Sequence, residues 1–441
     1  MSVELASLQL EKRPTAQPWM YFLAVWTVLA VASGYDFYYT LGARITAESF
    51  AAVAEAGNLS RRVALPALAA FSIYVMVLQK RERLAIDPLI GSLILLFLAW
   101  CVLSVTWAAS SGFVIRRLVV LICLVVGALA FAARCSLQQI MLFALLSSLL
   151  TLALSFFAEL ALGTFMSGPQ PNGEPYRFAG LIHPNQQGLN SGLLMIVAIF
   201  MHTSTHRHRK LLAVIVLTAA TFLLLTKSRT SAICVIVALG FVWFLFSPVI
   251  KKLAAALALA LTIPVLFFLF GDWFAENGEA VLTMGRHSSA DPTTLTGRIP
   301  LWDHLFGYID LRPIAGYGYD GFWIPSHVFE ISNAHDWPIV QAHSGWITVI
   351  LDLGYVGVTL FAMVIFCAIA RSMSYYRRTR QGHYLFATAI LIWLSVASLA
   401  ESMFLVPDLP SFVCMSLLAH LGFVAQRQDE ELDVVPYANG K

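Results

Sequence analysis

The chain has 441 residues, of which 59% are hydrophobic and only 12% charged, with a mean hydropathy of +0.75. A soluble domain carries about 25% charged residues, so this chain lacks the polar surface to cover itself in water, and lipid must be its solvent. Its net charge of +3 is too small and too dispersed to suggest a nucleic-acid partner. Its 6 cysteines show neither CxxC pairing nor metal-ligand spacing, so neither a disulfide framework nor a zinc site is indicated.

The elements follow from hydropathy. A bilayer core of about 30 Å takes roughly 20 apolar residues in a helix. Residues 1–18 are polar, carry Lys12 and Arg13, and read as a cytoplasmic tail. Ala30-Val31-Ala32 resembles a signal-peptide cleavage site, but the long polar lead and the many later spans favour a retained first helix. Apolar runs predict helices near 19–36, 63–79, 89–108, 116–133, 137–160, 188–204, 211–226, 230–247 and 253–270. Further runs follow near 345–370, 384–404 and 410–425. The reading is thus an all-α polytopic membrane protein with about 12 transmembrane helices. Nine lie within 19–270 and three within 345–425, with a large loop at 271–344 and a second tail at 426–441. The loop is rich in aromatic and apolar residues, with helical periodicity over 299–311, so it is expected to fold.

Basic residues accumulate on cytoplasmic loops. The short segments 80–83, 207–210 and 371–380 carry clusters of them, which places both termini in the cytoplasm and the large loop outside. Arg44, Arg61, Arg62, Arg116, Arg117, Arg177, Lys227, Arg229, Arg286, Arg298 and Arg312 then lie outside, against the bias. They are the more informative cations for that reason.

Several outside residues are suited to anion chemistry. Arg177 precedes His183-Pro184-Asn185, and Pro184 fits the first position of the next helix, whose free N–H groups suit an anion. Arg177 would otherwise be an interfacial arginine reaching for headgroups. Lys227-Ser228-Arg229-Thr230 is the tip of a tight hairpin between two apolar helices. A charged tip there either reaches the surface or holds an anion. Thr296-Gly297-Arg298 opens the amphipathic stretch that contains Trp302, and a guanidinium fork matches phosphate oxygens. His343 and Ser344 end the long loop, where an imidazole is either structural or a general base. Asp352 and Glu401 stand near outer helix ends, either as functional acids or as salt-bridge partners.

Two patterns are set aside. Gly316-Tyr317-Gly318-Tyr319-Asp320-Gly321 matches a dinucleotide-binding pattern but has no βαβ unit around it, so a flexible turn near the bilayer surface is expected. The histidines of 202–208, and His327 with His335, lack the carboxylates or cysteines that would complete a metal site.

Taken in order, four motifs resemble the O-antigen ligase and polymerase superfamily of bacterial envelope polysaccharide enzymes. They are Arg177-Phe178-Ala179-Gly180 with His183-Pro184-Asn185, then Thr226-Lys227-Ser228-Arg229-Thr230. Next come Thr296-Gly297-Arg298 with Trp302, Gly316 and Gly318, and last Ala342-His343-Ser344-Gly345 running into Leu351-Asp352-Leu353-Gly354 and Gly357. The resemblance implies a GT-C-like fold in the bacterial inner membrane and an inverting glycosyltransferase that uses a polyprenyl-diphosphate-linked oligosaccharide donor at the periplasmic face. It implies donor-diphosphate contacts at Arg177, Arg229 and Arg298, with His343 as catalytic base. Lys227, Asn185, Trp302, Asp352 and Glu401 are supporting candidates, and no metal or other cofactor is expected. The acceptor would be a growing glycan or lipid A core, with membrane lipid around the protein. Many O-antigen ligases carry Asn after this His, whereas Ser344 looks more like the exopolysaccharide polymerase branch. A ligase, and a transporter or flippase of lipid-linked sugars, are the competing readings.

Overall fold

A computed structural model describes residues 18–34, 39–40, 59–78, 84–167, 175–204, 208–282 and 297–424. Both expected tails beyond these bounds, the basic residues of 80–83, Arg207 and Thr296 lie outside the described residues.

The described chain is all helical. In order, the helices are α1 Pro18–Ser33, α2 Leu59–Leu78, α3 Ile90–Leu103, α4 Ser111–Arg134, α5 Leu137–Leu162, α6 Pro184–Ser204 and α7 Arg209–Leu225. Then come α8 Arg229–Phe246, α9 Val249–Leu282, α10 Arg298–Leu311, α11 Pro325–His335, α12 Gly345–Thr379, α13 Gly382–Ala397 and α14 Leu409–Phe423. Six of them are long and apolar enough to cross a membrane, and four shorter ones are also apolar. The protein is therefore a multi-pass membrane protein.

Local sequence sets the helix ends. Ser136 accepts from the Gln139 amide while the Gln139 side chain accepts from the Ser136 amide, so α5 starts on a reciprocal cap. Asp408 accepts from Ser411 N at 2.8 Å and starts α14. In the core, α14 packs against α3, α4 and α5, while α13 packs against α6, α8 and α12. Phe131, Phe143 and Phe412 meet where α4, α5 and α14 cross, with centroids 4.7 to 6.2 Å apart. The segment Val249–Leu266 of α9 buries none of its residues against the rest of the protein.

The ends differ from the hydropathy reading in three places. The run expected to end near 270 stays helical to Leu282, and α12 continues through its basic residues to Thr379. Hydropathy marks the apolar stretch, whereas a helix continues as long as its backbone hydrogen bonds do. The run expected to reach 404 ends at Ala397, because the carbonyl of Ser398 accepts from Gly345 N at 2.7 Å. Glu401 therefore sits in a turn and not on a helix.

A further departure is a break inside α12. Gly354 has φ +65° and ψ −170°, and a Cβ there would lie 2.2 Å from the Ile314 carbonyl oxygen. The break frees backbone groups, and each needs a partner in a membrane protein. Leu351 O accepts from Tyr317 N at 2.9 Å, Asp352 O from Gly318 N at 2.8 Å, and Leu353 O from Trp100 Nε1 at 3.1 Å. In return, Tyr355 N donates to Pro313 O at 2.7 Å and Val356 N to Ile314 O at 3.3 Å. The glycine-rich segment expected as a flexible turn is thus a docked one, with Gly316, Tyr317, Gly318 and Tyr319 all buried.

Candidate active site

Glu159, near the end of α5, gathers the segment that carries Arg177. Its Oε1 accepts from Ala179 N at 2.9 Å and Gly180 N at 2.8 Å, and Oε2 accepts from the Tyr176 hydroxyl. Gly180 has φ +65°, and a Cβ there would lie 2.3 Å from Ser155 Cβ, so the close approach to α5 requires glycine. Phe178 N donates to Leu225 O at 2.9 Å and ties the segment to the end of α7.

This clamp fixes a buried arginine. Arg177 Nε donates to Thr226 O at 2.9 Å, and its Nη2 donates to Asn185 Oδ1 at 2.7 Å. Thr226 belongs to the hairpin tip, so Lys227, with φ +49°, and Arg229, the first residue of α8, stand beside Arg177's partner.

Asn185 passes the connection on. Its Nδ2 donates to Glu401 Oε1 at 2.9 Å, and the same oxygen accepts from Arg298 Nη2 at 2.7 Å. Arg298 Nη1 also donates to Ala400 O. Arg298 and Glu401 expose only 14% and 10% of their side chains, so water screens their pairing little. One carboxylate oxygen thus joins two arginine systems separated by more than a hundred residues of chain.

The turn holding Glu401 also positions the histidine. Gly345 N donates to Glu401 O at 3.0 Å, and Ser344 Oγ donates to Ser398 O at 3.2 Å while accepting from Ile347 N at 3.3 Å. On the other side, Trp302 Nε1 donates to Ala342 O at 2.7 Å. His343 lies between these anchors in a left-handed conformation, φ +50°, with its ring 5.4 Å from Trp337. Its Nδ1 is buried without a hydrogen-bond partner. Burial, and then the positive charge of Arg298, push its pKa down to about 4. The imidazole is therefore neutral at neutral pH and has a lone pair to accept a proton.

The structure thus brings Arg177, Asn185, Glu401, Arg298, Trp302 and His343 to one end of the bundle, with Lys227 and Arg229 alongside. Asp352 stands apart. Its backbone carbonyl accepts from Gly318 N at 2.8 Å, which helps seat the glycine-rich segment on the α12 break. Arg117 pairs instead with Asp320, at 3.3 Å. Glu159 was missed in the sequence, although a lone acid inside an apolar run is itself a signal. His304 Nδ1 and His335 Nε2 lie 3.2 Å apart, and no group of three or more metal-ligating side chains gathers among the described residues.

Residues 213–362 match the family model described as O-antigen ligase. The match supports, over those residues, the resemblance to the O-antigen ligase and polymerase superfamily. No curated protein matches the chain. The O-antigen ligase region contains the hairpin tip, Arg298, Trp302, His343 and the α12 break. Arg177 and Asn185 precede it and Glu401 follows it, so hydrogen bonds close the network across both of its borders.

Proposed function

We propose that the protein is an inner-membrane inverting glycosyltransferase that takes a glycan from a polyprenyl-diphosphate donor at the periplasmic face. On this reading about 12 helices span the bilayer in a GT-C-like fold, and both termini are cytoplasmic. The single observation that carries it is Glu401 Oε1, which holds Arg298 directly and Arg177 through Asn185, in the turn that also fixes His343.

The chemistry follows from these groups. As the C1–O bond to the diphosphate breaks, negative charge grows on the leaving oxygen. Arg177, Arg298 and Arg229 are permanently charged and stabilise it without moving a proton. The acceptor hydroxyl gives its proton to neutral His343 as it attacks C1 from the face opposite the diphosphate. That single displacement inverts the anomeric centre. A positioned base contributes roughly 100- to 10,000-fold. Trp302 supports the histidine through Ala342 and offers an aromatic face to a sugar.

Polymerisation of exopolysaccharide or O-antigen repeat units is the first reading, from the His343-Ser344-Gly345 sequence. Ser344 caps α12, however, and Asn caps a helix equally well, so this position bears on the helix start more than on the acceptor. Transfer to lipid A core is the second reading, because the matching family is described as O-antigen ligase. Transport is disfavoured. Paired broken helices are its signature, and among the described residues only α12 is interrupted by non-helical backbone, with the gap filled by the docked segment. In a single-turnover assay with labelled lipid-linked donor, His343→Ala and Arg298→Ala are each expected to lose product while the protein still inserts. Wild-type-like turnover in either would remove that residue from the mechanism.

A further inference from the structure

The seam between α5 and α6 is polar along its length, and the network above uses only its end at Glu159. On α5, Ser148, Thr151, Ser155 and Glu159 recur every three or four residues and so share one face. On α6, Gln187, Asn190 and Ser191 share a face in the same way. All of these side chains are buried. Asn190 Nδ2 donates to Ser148 O at 3.1 Å and Ser155 Oγ to Gln187 Oε1 at 3.4 Å, so the two faces meet. From Ser148 to Glu159 the polar face runs on the order of 16 Å along the helix, half of a bilayer core of about 30 Å.

Four polar atoms of this seam have no hydrogen-bond partner among the described residues: Ser148 Oγ, Gln187 Nε2, Asn190 Oδ1 and Ser191 Oγ. Trp393 Nε1 on α13 is a fifth, and a Cβ on Gly192, the residue after Ser191, would stand 3.6 Å from it. A helical Ser or Thr can settle its hydroxyl on the carbonyl four residues back, and Thr388, Ser395 and Ser416 do so at 2.7 to 2.9 Å. Ser148 and Ser191 do not, which leaves each hydroxyl to a partner in the seam. Gln187 Nε2 is a donor, Asn190 Oδ1 an acceptor, and a hydroxyl is either. The Asn190 amide is oriented by the Ser148 carbonyl, which only an N–H can face, so Oδ1 is its open atom. A cation would need acceptors alone, and an anion donors alone. Water is both, and a buried water makes two to four hydrogen bonds.

We propose that the α5–α6 seam is a binding site for ordered waters, held by Ser148, Gln187, Asn190 and Ser191, which bridge the two helices beneath the arginine network. An unpartnered polar group is costly inside a membrane protein, and one kind of ligand relieves all four. Gln187 shares the first turn of α6 with Asn185, so the bridged helix is the one that presents Asn185 to Arg177 and Glu401. Glu159 closes the seam at the site end, with both carboxylate oxygens engaged by the segment that carries Arg177. The waters thus brace the helix that joins the two arginine systems, whatever reaction the site performs.

The sign of a small substitution separates a hydrated seam from a dry one. In a dry seam, Ser148→Ala and Ser191→Ala each delete an unpartnered hydroxyl and should raise the unfolding temperature of the full chain in nanodiscs. With water bound they delete a partner of that water, and each is expected to lower the unfolding temperature by about 2 °C or more. Radiolytic labelling of the full chain gives a second reading, because radicals formed from bound water oxidise the side chains beside it. Trp393 is fully buried, and it is expected to be oxidised in wild type and several-fold less in Ser191→Ala. An unfolding temperature that falls in neither serine variant would overturn the proposal. So would a Trp393 that stays intact in wild type while the half-buried Trp337 of the loop is oxidised.

Discussion

At the scale of single residues, His343 and Glu401 make the sharpest predictions. His343→Ala should lower turnover by roughly 100- to 10,000-fold, measured at saturating donor. Its pH dependence follows from burial and the charge of Arg298. The free enzyme needs neutral imidazole, so kcat/KM should stay flat from neutral pH downward and fall only as pH approaches about 4. A bound diphosphate adds negative charge nearby, so the acid limb of kcat should lie at higher pH than that of kcat/KM. Folding stability carries the matching sign. The folded pKa lies below the ordinary histidine value of 6.5, so this group's contribution is complete above pH 6.5 and is lost as pH falls toward about 4. Glu401→Ala leaves Arg298 unpaired in a nearly buried place and should cost about 3 kcal/mol or more, read by thermal unfolding in nanodiscs. Arg177, Arg298 and His343 stand out in the sequence because cations and an imidazole beside a membrane are conspicuous. The pivot role of Glu401 is not visible there, since it depends on a turn that brings residue 401 back to Gly345. Glu159 is hidden by its apolar neighbours, which make its segment read as plain span.

At the scale of elements, hydropathy locates the apolar runs but not the break in α12. That break is written in residues from two distant segments, Gly354 in the helix and Pro313 to Gly318 in the loop, and either stretch alone reads as an ordinary helix or turn. The exchange of backbone hydrogen bonds between them predicts a strict requirement for glycine. Gly354→Ala combines a left-handed backbone with a Cβ 2.2 Å from a carbonyl oxygen, so it should lower the unfolding temperature and the yield of active protein. Gly240→Ala, inside α8 with nothing within 4 Å of the new Cβ, should be neutral or stabilising by about 0.5–1 kcal/mol. Equal tolerance at both positions, in thermal shifts of purified protein, would mean that the docked segment does not hold the break.

At the scale of the whole molecule, the bundle brings helix ends from the entire chain to one place. The ends of α5, α7 and α13 and the starts of α6, α8 and α12 meet there, and the segment that carries α10 and α11 packs against the start of α12. Composition makes the membrane reading legible, because 12% charge leaves no other solvent for the chain. The sugars and the acceptor are not legible, because neither hydropathy nor a cation cluster encodes a glycosidic linkage. The proposed reaction is transfer from a lipid diphosphate with His343 as base. The most direct test is to supply purified protein in lipid with a labelled polyprenyl-diphosphate repeat unit and no lipid A core, then repeat with the core added. A labelled transfer product is expected, as a ladder of longer lipid-linked glycans without the core, and it should disappear in His343→Ala. Donor left intact under both conditions, or a product that persists in His343→Ala, would contradict it.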